Sequence, residues 1–102
     1  MVIVIATIHC TPGKRDQLLD EFRAVVPLVR DEEGCIEYGP TVDVETSIPA
    51  QADPDLDRVV VVEKWASIAA LEAHLIAPHM LEYRGRVKGL IERVDIQVLE
   101  PA

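Results

Sequence analysis

Apolar residues run almost unbroken from Val2 to Cys10, in the stretch VIVIATIHC. β-Branched residues dominate it and no charge interrupts it. That predicts a strand covered on both faces. After the turn TPGKRD the apolar period changes. Leu18, Phe22, Val25 and Val29 recur at helical spacing, with Lys14, Arg15, Asp20, Glu21 and Arg23 among them. The pattern predicts an amphipathic helix to about Arg30, capped by Thr11 or Gly13 and bent late by Pro27. DEEGC stops it, with Gly34 free to take a left-handed conformation. CIEYGPTVDV then reads as a second strand. Cys35, Glu37, Gly39 and Thr41 share one face; Ile36, Tyr38 and Pro40 share the other.

From Glu45 to Asp57 the chain is polar and holds Pro49 and Pro54, which predicts a loop too long for a hairpin turn. RVVVVEKW, Arg58 to Trp65, predicts a third strand. Ser67 caps a second helix, with Ile68, Leu71 and Leu75 as its apolar stripe. Pro78 interrupts that helix, and Met80, Tyr83 and Val87 resume the spacing. IERVDIQVLE alternates as a fourth strand. Strand, helix, strand, strand, helix, strand over residues 1–102 predicts a single α+β domain. The expected fold is ferredoxin-like, a four-stranded antiparallel sheet with two helices on one face. Strands one and three are too apolar for their other face to meet water, so two sheets packed face to face in a two-fold homodimer are expected.

Charge narrows the partners. The chain carries a formal net charge of −8, which would repel nucleic acid. The one basic run, Arg84, Arg86 and Lys88, is too thin for a nucleic-acid footprint and is flanked by Glu82 and Glu92. Cys10 and Cys35 form no CxxC and read as two inert thiols in a reducing compartment. MVIVIATIH has no basic leader and is too short to span a membrane, so no membrane insertion and a cytoplasmic location are expected.

The histidines carry the chemistry worth weighing. With Ile68, Leu71 and Leu75 as the buried centre of the helix, His74 stands about a quarter-turn away, looking into the gap between helix and sheet. There it would serve as a base near neutral pH, or only satisfy a local hydrogen bond. His79 follows Pro78, with Tyr83 four residues on. They would orient a hydroxylated ring together, or form a surface pair. Trp65 would wall a flat apolar pocket, or simply pack the core. Glu63 shares its face, and an inward carboxylate needs a partner, which His74, His79 or a dimer salt bridge would supply. His9 reads as a rim residue. No Gly-rich nucleotide loop, HExxH or nucleophile elbow occurs, and the five-residue spacing of His74 and His79 suits one helix's metal ligands poorly.

Two blocks, EEGCIEYGP at Glu32–Pro40 and EKWASIAALEAHLIAPHMLEY at Glu63–Tyr83, resemble the antibiotic-biosynthesis monooxygenase family, most of all its small bacterial quinol monooxygenase branch. VKGLIE and DIQVLEP extend the likeness to the C-terminus. The resemblance implies a dimeric α+β barrel with a pocket between sheet and helices in each subunit. It implies a monooxygenase that oxidises a hydroquinone or a related phenolic aromatic with dioxygen and needs no cofactor, whether flavin, haem or metal. It puts Glu63, Trp65, His74 and His79 in the pocket. On this reading His74 is the base, Glu63 its orienter and Trp65 the ring wall. His79 joins them as a catalytic residue, the other candidate for the base and a contact to the substrate hydroxyls with Tyr38, and Tyr38 and Tyr83 bind the substrate beside Trp65. Haem-degrading relatives use an asparagine on the first strand and a histidine late in the second helical region. This chain has neither. Other relatives process small phosphorylated carbonyl compounds, which would require Arg84 and Arg86 to face the pocket. A noncatalytic dimeric quinone-binding protein is the remaining alternative.

Overall fold

A computed structural model describes residues 1–102. The elements are β1 (Val2–Cys10), α1 (Arg15–Arg30), β2 (Cys35–Thr41), β3 (Arg58–Trp65), α2 (Ile68–Leu75), α3 (Pro78–Val87), a 3-10 turn (Lys88–Leu90) and β4 (Ile91–Leu99). The strands form one sheet in the order β2-β3-β1-β4, antiparallel throughout, which is the ferredoxin-like order. The valine-rich centre follows from its sequence. Val2, Val4, Ala6, Ile8 and Cys10 of β1 and Val59, Val61, Glu63 and Trp65 of β3 point under the helices and are buried.

Helix α1 closes that face with Leu18, Leu19, Phe22, Val25, Val26 and Val29, and it runs on through Pro27 to Arg30. Its start differs from expectation. Lys14 occupies the cap position with no side-chain bond. The Thr11 carbonyl accepts from the Lys14 N–H at 2.9 Å, and Gly13, at φ +79°, donates its N–H to Asp57 Oδ1. The preceding turn thus engages both residues named as caps. Ser67 does cap α2, accepting from Ala70 N–H at 3.1 Å.

Three further features bear on the site, the first and third of them departures from expectation. A bulge at Ile36 pairs Cys35 with Trp65 and Glu37 with Lys64, so Cys35 lies on the helix side and does not share the face of Glu37. The other face of β1 and β3, with Ile3, Ile5, Val60 and Val62, is half-buried, so the helices cover the sheet on one side only. Helix α2 is rotated from its expected phase. Leu71 and His74 are its buried residues, while Ile68 is 47% and Leu75 37% exposed. His74 is therefore a core residue and not a boundary one.

Gly34 sets that rotation. Its φ is +83°, and a Cβ there would stand 2.6 Å from Ala70 Cβ on α2, while its carbonyl accepts from Ala66 N–H at 2.8 Å. Gly34→Ala is expected to cost about 2–4 kcal/mol, from the left-handed backbone and the overlap together. The denaturant midpoint measures it. An unchanged midpoint would mean that α2 yields without penalty.

Candidate active site

The chain brings two histidines from one segment onto a carboxylate from another, distant one. Glu32, in the turn after α1, accepts at Oε2 from His74 Nδ1 at 2.8 Å and from His79 Nε2 at 2.9 Å. The break between α2 and α3 at Ala77–Pro78 makes this fit, because it turns two histidines five residues apart toward the same oxygen. A single regular helix would splay them by about 140°. With Nδ1 held as a donor, the His74 tautomer is fixed and Nε2 is left to accept. Burial lowers the His74 pKa below its ordinary 6.5, against the raising effect of the Glu32 bond, so the ring is neutral at neutral pH. His74 is 2% exposed, and it packs at 4.6 Å from the Trp65 ring and 5.3 Å from that of Tyr38, centroid to centroid.

Glu63 does not orient His74. Its Oε1 accepts from Trp65 Nε1 at 2.9 Å, two residues along the same face of β3. Strand alternation gives that pair its reach, and Glu32 already occupies His74. Buried at 6% exposure, Glu63 has its pKa pushed up to about 7, chiefly by desolvation. From its ordinary 4.5 up to about 7, the folded chain holds a proton that the unfolded chain releases. Stability is therefore lost as pH rises through that window, by about 3 kcal/mol from this group. Glu63→Gln keeps an acceptor for Trp65 and removes the charge. Its melting temperature is expected to match wild type near pH 4.5 and to exceed it by several degrees above pH 7. Equal melting temperatures at alkaline pH would show that the carboxylate carries no such penalty.

Between the helices and the β1, β3 and β4 side of the sheet lies a cavity of about 410 Å³, and twelve of its sixteen lining residues are hydrophobic. Ala6, Ile8, Val61 and Phe22 form its apolar body. His74, Glu63, Tyr38 and Tyr83 supply polar groups, and Arg84 and Lys88 stand at its exposed rim. Val94 and Ile96 of β4 belong to it as well. They lie on the same sheet side as Ile8 and Ala6 but remain about half exposed, because the helices leave this edge open. Tyr38 and Tyr83 have pKa values raised by burial, so both are donors at neutral pH. The two rings pack on Phe22, Tyr38 stacked at 5.5 Å and Tyr83 edge-on at 5.7 Å. The Tyr83 hydroxyl is buried without a hydrogen-bond partner, which a ligand oxygen in the cavity would satisfy.

Four of the six residues singled out from sequence therefore line the cavity: His74, Glu63, Tyr38 and Tyr83. Trp65 is fully buried behind His74 and Tyr38 and is not part of the wall. Its indole serves the site through Glu63. His79 likewise lies outside the lining and grips Glu32, and Tyr83 is not its hydrogen-bond partner. His9 pairs with Asp95 at 3.0 Å, away from the cavity. Glu32 was missed, although it heads the EEGCIEYGP block. Arg84 lines the cavity while Arg86 bonds Glu21. Cys10 and Cys35 are free thiols. No group of three or more His, Cys, Asp or Glu is gathered in the arrangement of a metal site.

The fold and this geometry can be set beside known proteins. The antibiotic biosynthesis monooxygenase family pattern matches residues 1–86. The Escherichia coli (strain K12) protein named "Probable quinol monooxygenase YgiN" is 44% identical over 103 residues, spanning 99% of this chain and 98% of that protein. Among solved structures, PA3566 of Pseudomonas aeruginosa superposes with a TM-score of 0.81 at 31% identity, over 99% of this chain and 93% of that one. Rv0793 of Mycobacterium tuberculosis gives 0.80 at 31% identity, over 99% and 94%. Sequence and backbone agree over nearly the full length, and on that agreement the chain belongs to the antibiotic biosynthesis monooxygenase family.

Proposed function

We propose that the protein is a cofactor-independent monooxygenase that oxidises a hydroquinone or related phenolic aromatic with dioxygen. Family membership supports an oxidoreductase of the monooxygenase kind. The observation that carries the finer reading is His74, a neutral imidazole held by Glu32 in the wall of an apolar cavity. Nε2 takes the phenolic proton, and the electron-rich anion then reduces oxygen directly. One hydroquinone and one O₂ give one hydroxylated quinone and one water. The substrate supplies all four electrons. A ring carbon gains one C–O bond, and the second oxygen atom leaves as water. The apolar walls limit the water beside the anion, and Tyr38 and Tyr83 donate to substrate oxygens. Positioned general-base catalysis of this kind supplies about 10²–10⁴-fold. The free thiols suit a cytoplasmic protein, and no helix is long and apolar enough to cross a membrane.

The test is oxygen uptake after anaerobic mixing with reduced naphthoquinones, corrected for autoxidation and repeated after metal chelation. Uptake above background that survives chelation is expected. Saturable aromatic binding without uptake would favour a noncatalytic quinone-binding protein. A small phosphorylated carbonyl compound suits the cavity less well, because its walls are mostly apolar.

A homodimer is part of the same proposal. The half-buried face of Ile3, Ile5, Val60 and Val62 finds its cover in a second copy, closing the barrel. An interface of this sort buries roughly 2,000 Å² or more. Sedimentation at low micromolar protein is expected to show twice the chain mass, and a stable monomer there would refute it.

A further inference from the structure

The cavity rim carries charge that hydroquinone oxidation does not require. Arg23, Arg58, Lys64, Arg86 and Arg93 each have a carboxylate partner within 4.0 Å: Asp20, Asp43, Glu37, Glu21 and Asp95. Lys14, Arg15, Arg30, Arg84 and Lys88 have none, and of these five only Arg84 and Lys88 line the cavity. Four residues apart, they continue the face on which Met80 and Val87 line it. The Arg84 guanidinium is fixed in place, donating from Nη1 to the Leu75 carbonyl at 2.6 Å, beside His74. That bond uses one of its five N–H groups. Glu63 is the one acidic residue in the lining, and it is buried and turned to Trp65. A chain of net charge −8 thus gathers two cations free of carboxylate partners at the entrance of an apolar cavity. The buried Tyr83 hydroxyl, without a partner in that same lining, adds a donor awaiting a ligand oxygen.

Resting on the proposed reading of the cavity as an aromatic site, we infer that its substrate carries an anionic oxygen group, a carboxylate or a phosphate, which Arg84 and Lys88 bind at the rim. The aromatic body enters between Phe22, Val61 and Ile96 while the anion stays at the rim, half in water. Arg84 offers two parallel donors to such a group, and Lys88 a mobile point charge. These residues select among phenolic substrates by charge, which the apolar walls cannot do.

The experiment is calorimetric titration of the wild-type protein with 1-naphthoate, 1-naphthyl phosphate and the neutral 1-naphthamide. At low salt at least one anion is expected to bind about tenfold or more tighter than the amide, and the preference shrinks at about 500 mM salt. The tighter of the two anions identifies the group. Arg84→Gln is expected to lower the preference about tenfold. Lys88→Gln, whose side chain holds nothing else together, is expected to lower it about two- to fivefold. Lys14→Gln removes the same charge away from the cavity and is expected to change nothing. Equal affinity for all three probes, no binding of any, or a preference untouched by both cavity variants would overturn the inference. Titration needs no turnover. A protein that prefers the anions but consumes no oxygen with any quinol would sink the proposed function and leave this inference standing.

Discussion

Replacing His74 with alanine is expected to cut oxygen-dependent turnover by about 10²–10⁴-fold, the usual worth of a positioned base. The ring is 2% exposed and packed on Trp65 and Tyr38, so its removal also leaves a hole. His74→Gln, closer in volume, separates the two effects. Both variants are expected to lose turnover alike, while the glutamine retains more of the stability. Two further readouts belong to a base alone. The deficit shrinks as pH rises toward the hydroquinone's own ionisation, because solution then removes the proton. Wild type also keeps its activity below the ordinary imidazole value of 6.5, since burial lowers the His74 pKa. A His74→Ala enzyme matching wild type across neutral pH would pass the role to another group in the cavity, with Glu63 the first to examine.

Glu32→Gln is expected to give the second largest loss, about 10–10³-fold, the range for a partner that fixes an active imidazole. Glu32 holds His74 by Nδ1 and ties His79 to the same oxygen. The amide can present its N–H₂ to His74, which would favour the wrong tautomer. The carboxylate raises the His74 pKa, so its removal lets that pKa fall further and moves the acid limb of the pH profile to lower pH. A variant that lost only packing would keep the limb in place. Glu63→Gln is expected to do less harm to turnover than Glu32→Gln, because its hydrogen bond goes to Trp65. The reverse order would restore Glu63 as the catalytic carboxylate.

Much of the fold could be read from periodicity, and the residues show why the rest could not. Val2–Cys10 and Arg58–Trp65 read as strands from their β-branched runs, and the two-residue repeat of a strand then places Glu63 and Trp65 on one face correctly. Helix α2 has eight residues, barely two turns, and its largest aliphatic side chains suggested a phase that the packing rejects. Gly34 lets Ala70 approach closely, so a small residue faces the turn while Ile68 points outward and Leu75 lines the cavity, part exposed. That shift moves His74 from the boundary into the core. The bulge at Ile36 leaves no signal in composition, and it reverses Cys35 against simple alternation. Glu32 is 42 residues from His74 in sequence, in a turn that read only as a helix stop. The available hint was its place at the head of a family-like block. In the sequence Arg84 and Lys88 belong to one thin basic run with Arg86. Only the third dimension shows that they share a cavity rim while Arg86 does not.

The central claim, oxygen insertion driven from a substrate held beside His74, is tested most directly by isotope. A reduced naphthoquinone is turned over under ¹⁸O₂ in unlabelled water, and oxygen uptake and the product's mass are followed together. The account predicts one O₂ consumed per quinol, one labelled atom on the ring of the product, and both signals falling to the autoxidation background in His74→Ala. Uptake that leaves the product unlabelled, or a labelled yield unaffected by His74→Ala, would contradict it.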